Sequence, residues 1–406
     1  MNYKEFVKFA LKRYHELPIE GNELYKRMHI DIDREENAKI EANNKDCIEE
    51  VKEKAKKTGI KFDLVITNNS YIMEGNLENI SISDEISNYN SIEVSDKYEA
   101  LEYATAKQII KINAKKGQDA SFAIAIGDSR SMSSVIETNV EEGAHLKIFE
   151  WLLPGEKESS RNYLNLQHVG KKGILEFTIL DTNDIISDVA INTRSWLDEN
   201  ATIEASFVYL GGRKVRARNY IYGKENSSIL TNDIAIASGQ QKKDIATESS
   251  LAGVNTSANM SSKAIAKEEA ECMMKTFAGS EINAVDSNSN IEEKGLIKDL
   301  GRVYFLPGMN ILCGNAKAKH SSFIGPLDNS ALFYLLSRGL SRSDAEYILL
   351  RGFLAPSISL IKDGIANEAA SSVICNKLLG KDEMQEINAG LITWQGKRCF
   401  DEIGNR

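Results

Sequence analysis

The sequence predicts a mainly β fold, a parallel β-helix core flanked by helical N-terminal and C-terminal segments, and three observations predict it. First, from about Gln108 to Gly325 a turn former is repeatedly followed by alternating apolar residues: EEGAHLKIFEWL, KKGILEFTIL, DENATIEASFVYL and KENSSILTNDIAI. Counted from Gly143 to Gly173, Asn200 and Asn226, the steps are 30, 27 and 26 residues. A strand-and-turn repeat of near-constant period marks a solenoid, because one coil cannot bury its own apolar face and must stack on its neighbours. Second, proline, which cannot donate to a strand ladder, is confined in this region to Pro154, Pro307 and, at its edge, Pro326. Third, helical spacing replaces the two-residue alternation before about residue 60 and after residue 326. On period alone, an antiparallel sandwich with hairpins of similar length remains the alternative.

The N-terminal segment, residues 1–104, opens with Phe6, Phe9, Ala10, Leu11 and Tyr14 at helical spacing. The charged run from Arg34 to Lys57 holds only isolated apolar positions such as Ile40, Ile48 and Val51, and reads as a solvated surface helix. From Phe62 short β-type segments follow, DLVIT, YIMEG and NISIS, and the β-helix core is assigned to residues 105–326. In the C-terminal segment, residues 327–406, Asp328 caps a helix through Ala331, Leu332, Phe333, Leu335 and Leu336 that stops near Gly339. Ser341 with Asp344 in capping-box spacing starts a second helix, with Ala345, Ile348, Leu349 and Phe353 on one face, and Pro356 is expected to end it. A third helix covers Ile365 to Leu379, and the tail from Gly380 has little periodicity.

Composition narrows the function. A formal net charge of -9 and a pI near 5.4 argue against a nucleic-acid partner, whose binders are usually basic. No stretch approaches the roughly 20 apolar residues that span a bilayer, and the first residues carry too much charge for a secretory signal, so no membrane partner is expected and the location is cytoplasmic. Cys47, Cys272, Cys313, Cys375 and Cys399 are odd in number and scattered, which fits reduced thiols better than a disulfide framework or a zinc ribbon. There is no GxxxxGK[ST], no GxGxxG after a strand, no HExxH and no GxSxG, so no nucleotide binding by this chain and no enzymatic activity of its own are expected.

The segment KHSSFIGPLDNSALFYLLSRGLSRSDAEYILLRGFLAP, Lys319 to Pro356, resembles the C-terminal signature of the SufB/SufD family. That signature is a strand ending in His, a small-residue stretch and a Gly, then an acidic turn into a helix reading FYL.SRG and a second helix ending in GF. Weaker resemblance extends through LPGMNILCGNAKAKH and AIAKEEAECMMKTFAGSEINAV. The resemblance implies a right-handed parallel β-helix and a scaffold role in iron-sulfur cluster assembly, with a transient iron-sulfur cluster at a subunit interface. It further implies pairing through the β-helix, with a second copy or with a SufB-type paralogue, and docking of the SufC ATPase on the C-terminal helices.

On that resemblance His320 matches the histidine that SufD-type subunits bring to the cluster-forming interface. Neutral imidazole is a good iron ligand and can shuttle protons; the plainer alternative is a histidine capping the β-helix end. Cys313, seven residues earlier, offers a soft thiolate ligand, although Ile311, Leu312 and Cys313 also read as a strand with a small apolar cysteine. Phe333, Tyr334, Leu335, Ser337, Arg338 and Gly339 form the expected SufC-docking element, apolar and aromatic with one Arg. Two departures separate the chain from SufB-type subunits. Glu292 stands where they carry a cysteine, and Ser321 where they carry a glutamate after the histidine, which makes the chain closer to SufD in its site residues. The competing readings are a non-catalytic structural partner of a SufB subunit and a polysaccharide-acting β-helix protein. The last predicts a secretion signal and acidic and aromatic residues clustered on successive coils, and neither is evident.

Overall fold

The computed structural model describes residues 3–18, 47–75, 79–83, 94, 96–129, 131–156 and 158–380. The N-terminal part holds α1 (Tyr3–Glu16), α2 (Ile48–Lys57), β1 (Leu64–Ile66), β2 (Tyr71–Met73), β3 (Ile80–Ser83) and α3 (Lys97–Thr105). Then come β4 (Ile109–Ala114), β5 (Asp119–Ile126), β6 (Met132–Val140), β7 (His145–Leu152), β8 (Ser160–Val169), β9 (Ile174–Asp181), β10 (Asp188–Leu197) and β11 (Thr202–Tyr209). The run continues with β12 (Lys214–Gly223), β13 (Ser228–Ala237), β14 (Lys242–Leu251), β15 (Ser257–Ala266), β16 (Glu271–Ser280), β17 (Asn288–Ile297), β18 (Arg302–Ile311) and β19 (Lys317–Pro326). Three helices close it: α4 (Asn329–Ser337), α5 (Arg342–Ile358) and α6 (Gly364–Leu379).

One sheet has the order β19-β17-β15-β13-β11-β9-β7-β5-β1-β2 and the second the order β18-β16-β14-β12-β10-β8-β6-β4-β3, so that from β4 onward odd-numbered strands lie in the first and even-numbered strands in the second. From β4 onward every pairing is parallel between strands one coil apart, as in β10 with β12 and β11 with β13. The result is a parallel β-solenoid of about seven turns, which excludes the sandwich. At its start β2 and β3 pair antiparallel with β1 and β4, so strands upstream of residue 105 extend both sheets.

The period comes from one corner. Gly117, Gly143, Lys172, Asn200, Asn226, Asn255 and Asp286 all have left-handed backbone, with φ between 55° and 67°. Glycine tolerates that conformation freely and Asn and Asp tolerate it better than other residues. Each of the first six donates its N–H to the carbonyl just before the next, as in Gly143 to Lys171 at 2.9 Å and Asn226 to Val254 at 2.9 Å. The repeat marker in the second coil is Lys172, not the Gly173 expected from the sequence. Gly173 lies inside the turn with its N–H on the Gly170 carbonyl at 2.8 Å.

The interior is filled by Ile, Leu, Val, Ala and Phe from the inward positions of both sheets. Outside, α5 and α6 cover the first sheet, packing Tyr347, Leu350, Leu354, Val373 and Ile374 on Leu180, Val208, Ile234 and Ile265. The second sheet is partly covered by α1 and α3, tied down by Glu102 to Asn192 at 2.9 Å, Arg194 to Glu99 at 2.8 Å and Arg216 to Asp96 at 2.7 Å. The last part of the charged run, α2, is not a fully solvated helix, because it buries Val51 and Ala55 against Val65 and Ala123. The helix expected to stop at Pro356 runs on to Ile358. Proline's fixed φ is helical, so the chain continues two residues past it, with the loss of one backbone N–H donor in the last turn. Asp328 and Ser341 cap α4 and α5 as their spacing predicts, and Gly339, at φ 91°, ends the turn after α4.

Candidate functional site

The two ends of the solenoid differ. At the far end β18 and β19, ten residues each, are last in their sheets, so one edge of each is unpaired among the described residues. Strand alternation turns Val303, Phe305, Met309, Ala318, His320, Ser322 and Ile324 toward the core axis, with no further coil above them among the described residues. The core is thus cut open in cross-section. Gly295 on β17 lets Val303 and Phe305 fold across this end; a Cβ there would lie 2.9 Å from Val303 and 3.0 Å from Phe305.

His320 completes an inward file. Phe122, Ile148, Phe177, Ala205, Thr231, Met260, Ile291 and His320 stack in register from β5 to β19. Seven interior positions end in one exposed imidazole. The neighbouring inward file runs Ile124, Glu150, Ile179, Phe207, Asp233, Ser262, Glu293 and Ser322, and it contains three buried carboxyls. Glu150 accepts from Asn165 at 3.0 Å, and Asp233 from Thr247 at 3.1 Å and Ser262 at 3.3 Å. Burial pushes the Glu150 carboxyl up to about 8 and that of Asp233 to about 7, the hydrogen bonds opposing it in both. Burial also pushes Glu293 up to about 7, against the pull of the nearby Thr276 and Ser322 hydroxyls.

Cys313 is buried in the turn between β18 and β19, on the same last coil as His320. Among the described residues no three His, Cys, Asp or Glu side chains converge as a metal-binding group. Cys272 is fully buried, and burial pushes its thiol up to about 12, which makes it inert as a thiolate. Glu292 and Ser321, the two departures, are register partners on β17 and β19, with Glu292 paired to Lys294 at 2.7 Å. Sequence reasoning missed Glu293. Its signal was parity, since an apolar Ile291 facing the core puts Glu293 on the same side of the strand.

On α4 Phe333 is 72% and Tyr334 56% exposed, while Leu332 is buried beneath them. Arg338 lies over the Tyr334 ring at 5.0 Å, and the Ser337 hydroxyl donates to the Tyr334 carbonyl at 2.7 Å. Phe333 therefore does not pack α4 onto α5. The structure also gathers an acidic and aromatic cluster that was not evident in the sequence. On the outer face of the second sheet, a groove of about 360 Å³ is lined by Trp196, Tyr220, Tyr222, Phe277, Glu248 and Glu281. Glu248 there is paired with Lys275.

A family model described as SUF system FeS cluster assembly, SufBD core domain, matches residues 122–353, more than half of the chain. Among curated relatives, an iron-sulfur cluster assembly SufBD family protein of Archaeoglobus fulgidus is 25% identical over 199 residues, 48% of this chain and 53% of the relative. The Bacillus subtilis iron-sulfur cluster assembly protein SufB is 27% identical over 192 residues, 46% of this chain and 41% of the relative. A SufBD family protein of Methanothermobacter thermautotrophicus is 23% identical over 249 residues, 60% of each. The matched stretch thus spans about half the length of these relatives. The matched core begins in β5 and runs through the last coil, α4 and most of α5, taking in the open end and His320, and the chain belongs to the SufBD family.

Proposed function

We propose that this chain is a scaffold subunit of the SUF iron-sulfur cluster assembly machinery, with the nascent cluster as its cargo at the open end of the solenoid. The observation that carries the reading is that end itself: two full-length strands, each with one edge unpaired among the described residues, around an exposed core cross-section, with His320 at the close of an interior file. Unpaired edges of that length are a template for another chain. The partner is a second copy or a SufB-type paralogue. Glu292 and Ser321 favour a SufD-like role, in which the paralogue supplies the principal cysteine. His320 and the buried Cys313 are the ligands this chain contributes. The exposed Phe333 and Tyr334, with Leu335, Ser337, Arg338 and Gly339, dock the SufC ATPase, which supplies the nucleotide chemistry in the cytoplasm.

Anaerobic reconstitution with iron and sulfide tests this on the protein alone, with SufC, and with a SufB-type paralogue. Cluster absorbance in the visible should require the pair and fall in His320→Ala, and Phe333→Ser should release SufC while leaving the melting temperature unchanged. Assembly that proceeds undiminished in His320→Ala would leave a structural partner that supplies no ligand.

A further inference from the structure

The polar side chains inside the solenoid are joined to one another. From β13 to β19 the inward file of the first sheet reads Asp233, Ser262, Glu293 and Ser322, and on the second sheet Asn219, Thr247 and Thr276 face it. Thr247 donates to one oxygen of Asp233 at 3.1 Å, and Ser262 donates to the other at 3.3 Å. The hydroxyls of Ser262 and Thr276 share a bond of 2.9 Å. Thr276 and Ser322 in turn hydrogen-bond to the Glu293 carboxyl. Every member of this chain is buried except Ser322, which is exposed at the open end.

The chain is closed in the other direction. Asn219 donates to Thr247 at 3.1 Å and to the buried Tyr209 hydroxyl at 2.9 Å. An amide donates its protons without taking one up, and burial holds the Tyr209 hydroxyl well above its ordinary range, so no proton leaves that way. Toward the open end each link is a carboxyl or a hydroxyl, groups that accept one proton and release another. Burial raises both Asp233 and Glu293 to about 7, so near neutral pH either gains or loses a proton at little cost. The other inward ionisable side chains from β11 to β19 are Tyr209, Lys243, Cys272 and His320. Lys243 donates to the Gly211 carbonyl at 2.6 Å, and burial pushes the Cys272 thiol up to about 12, so it keeps its proton.

We propose that Asp233, Ser262, Thr276, Glu293 and Ser322 form a proton relay through the interior of the solenoid, with its outlet at the open end. The relay crosses three strand intervals, ~14 Å. In the outward step Glu293 gives its proton to the Ser322 oxygen, which releases its own to water at the open end. Asp233 refills Glu293 through Ser262 and Thr276, each hydroxyl taking one proton and passing on another. The net change is one proton delivered and one carboxylate left at Asp233, and uptake runs the same steps in reverse. A reaction at the open end that releases a proton, as hydrosulfide does when it becomes a bridging sulfide (HS⁻ to S²⁻ and H⁺), then has an acceptor beside it. That use rests on the scaffold reading, whereas the relay itself rests on the interior bonds.

The test follows the carboxylic-acid stretch of each group by time-resolved infrared difference spectroscopy of the full-length protein. A jump from about pH 5.5 to about pH 8.5 spans the two raised carboxyls. Asp233→Asn and Glu293→Gln assign the bands, and in the wild type both should be lost together. Thr276→Val keeps the shape and removes the hydroxyl; it should slow loss of the Asp233 band about tenfold or more and leave the Glu293 band as fast as before. Glu293→Gln, whose amide takes up no proton, should slow Asp233 in the same way. Thr276→Ser should restore the wild-type rate, and Thr247→Val, on the closed side, should not slow either band. Melting temperatures confirm that the variants compared are folded. Loss of the Asp233 band as fast in Thr276→Val and Glu293→Gln as in the wild type, or slowed equally in Thr247→Val, overturns the proposal. No iron or sulfide enters the measurement, so failure of cluster assembly would sink the scaffold reading and leave the relay standing.

Discussion

The two ends of this solenoid solve the same problem in opposite ways. At the first coil the sheets finish in β2 and β3, strands of three and four residues that run antiparallel to their neighbours, and α2 packs alongside. At the last coil they finish in two parallel strands of ten residues with the core section exposed between them. Short, reversed edge strands discourage further pairing, while long regular ones invite it. Among the described residues the chain blunts its sheet edges at one end alone, as the pairing surface proposed above requires.

If the closed end is there for stability, core truncation should be costly at that end. Leu64 in β1 is fully buried between β2 and β5, and Leu64→Ala should cost about 3 kcal/mol in chemical denaturation. An equal loss in Ile324→Ala would erase the distinction. The file of acids that links the two ends gives a second handle. Asp233 has its carboxyl raised from 3.8 to about 7 in the folded protein, so between those values the unfolded chain has released a proton that the native state retains. Stability contributed by the protonated acid is therefore full below about pH 4 and is lost as pH rises toward 7. Asp233→Asn should flatten that decline by about 2 kcal/mol between pH 5 and pH 7, as seen in denaturant midpoints across the range. The smallest effect on folding belongs to the open end. Ile324→Asp, at a position 41% exposed, should change stability by less than about 0.5 kcal/mol yet weaken pairing about tenfold or more in sedimentation equilibrium. Unchanged pairing in that variant would mean the cross-section is not where chains meet.

Much of this architecture is written in short-range chemistry. The left-handed corner selects Gly, Asn and Asp at every turn but Lys172, and so the period and the β-helix can be read from the sequence. Helix caps are equally local, as Asp328 and Ser341 demonstrate. What escaped depends on register or on three-dimensional stacking. Strands β1 to β3 are too short to announce that they extend the two sheets. The charged face of α2 hid Val51 and Ala55. Glu293, written beside Glu292 in the stretch NSNIEEKGLI, looks like one of a solvated pair until alternation places one acid outside and the other in the core. His320 was found through resemblance. That it ends an interior file follows only from eight strands held in register.

The closed first coil has a consequence for how many molecules can join. Contact from the open end of one molecule to the first coil of the next would repeat without limit and draw the protein into fibres. The short antiparallel strands at the first coil disfavour that head-to-tail contact. If open ends pair as proposed, two such surfaces related by a twofold axis would consume each other and leave nothing to extend, so the count would stop at two, whether the second molecule is a copy or a relative.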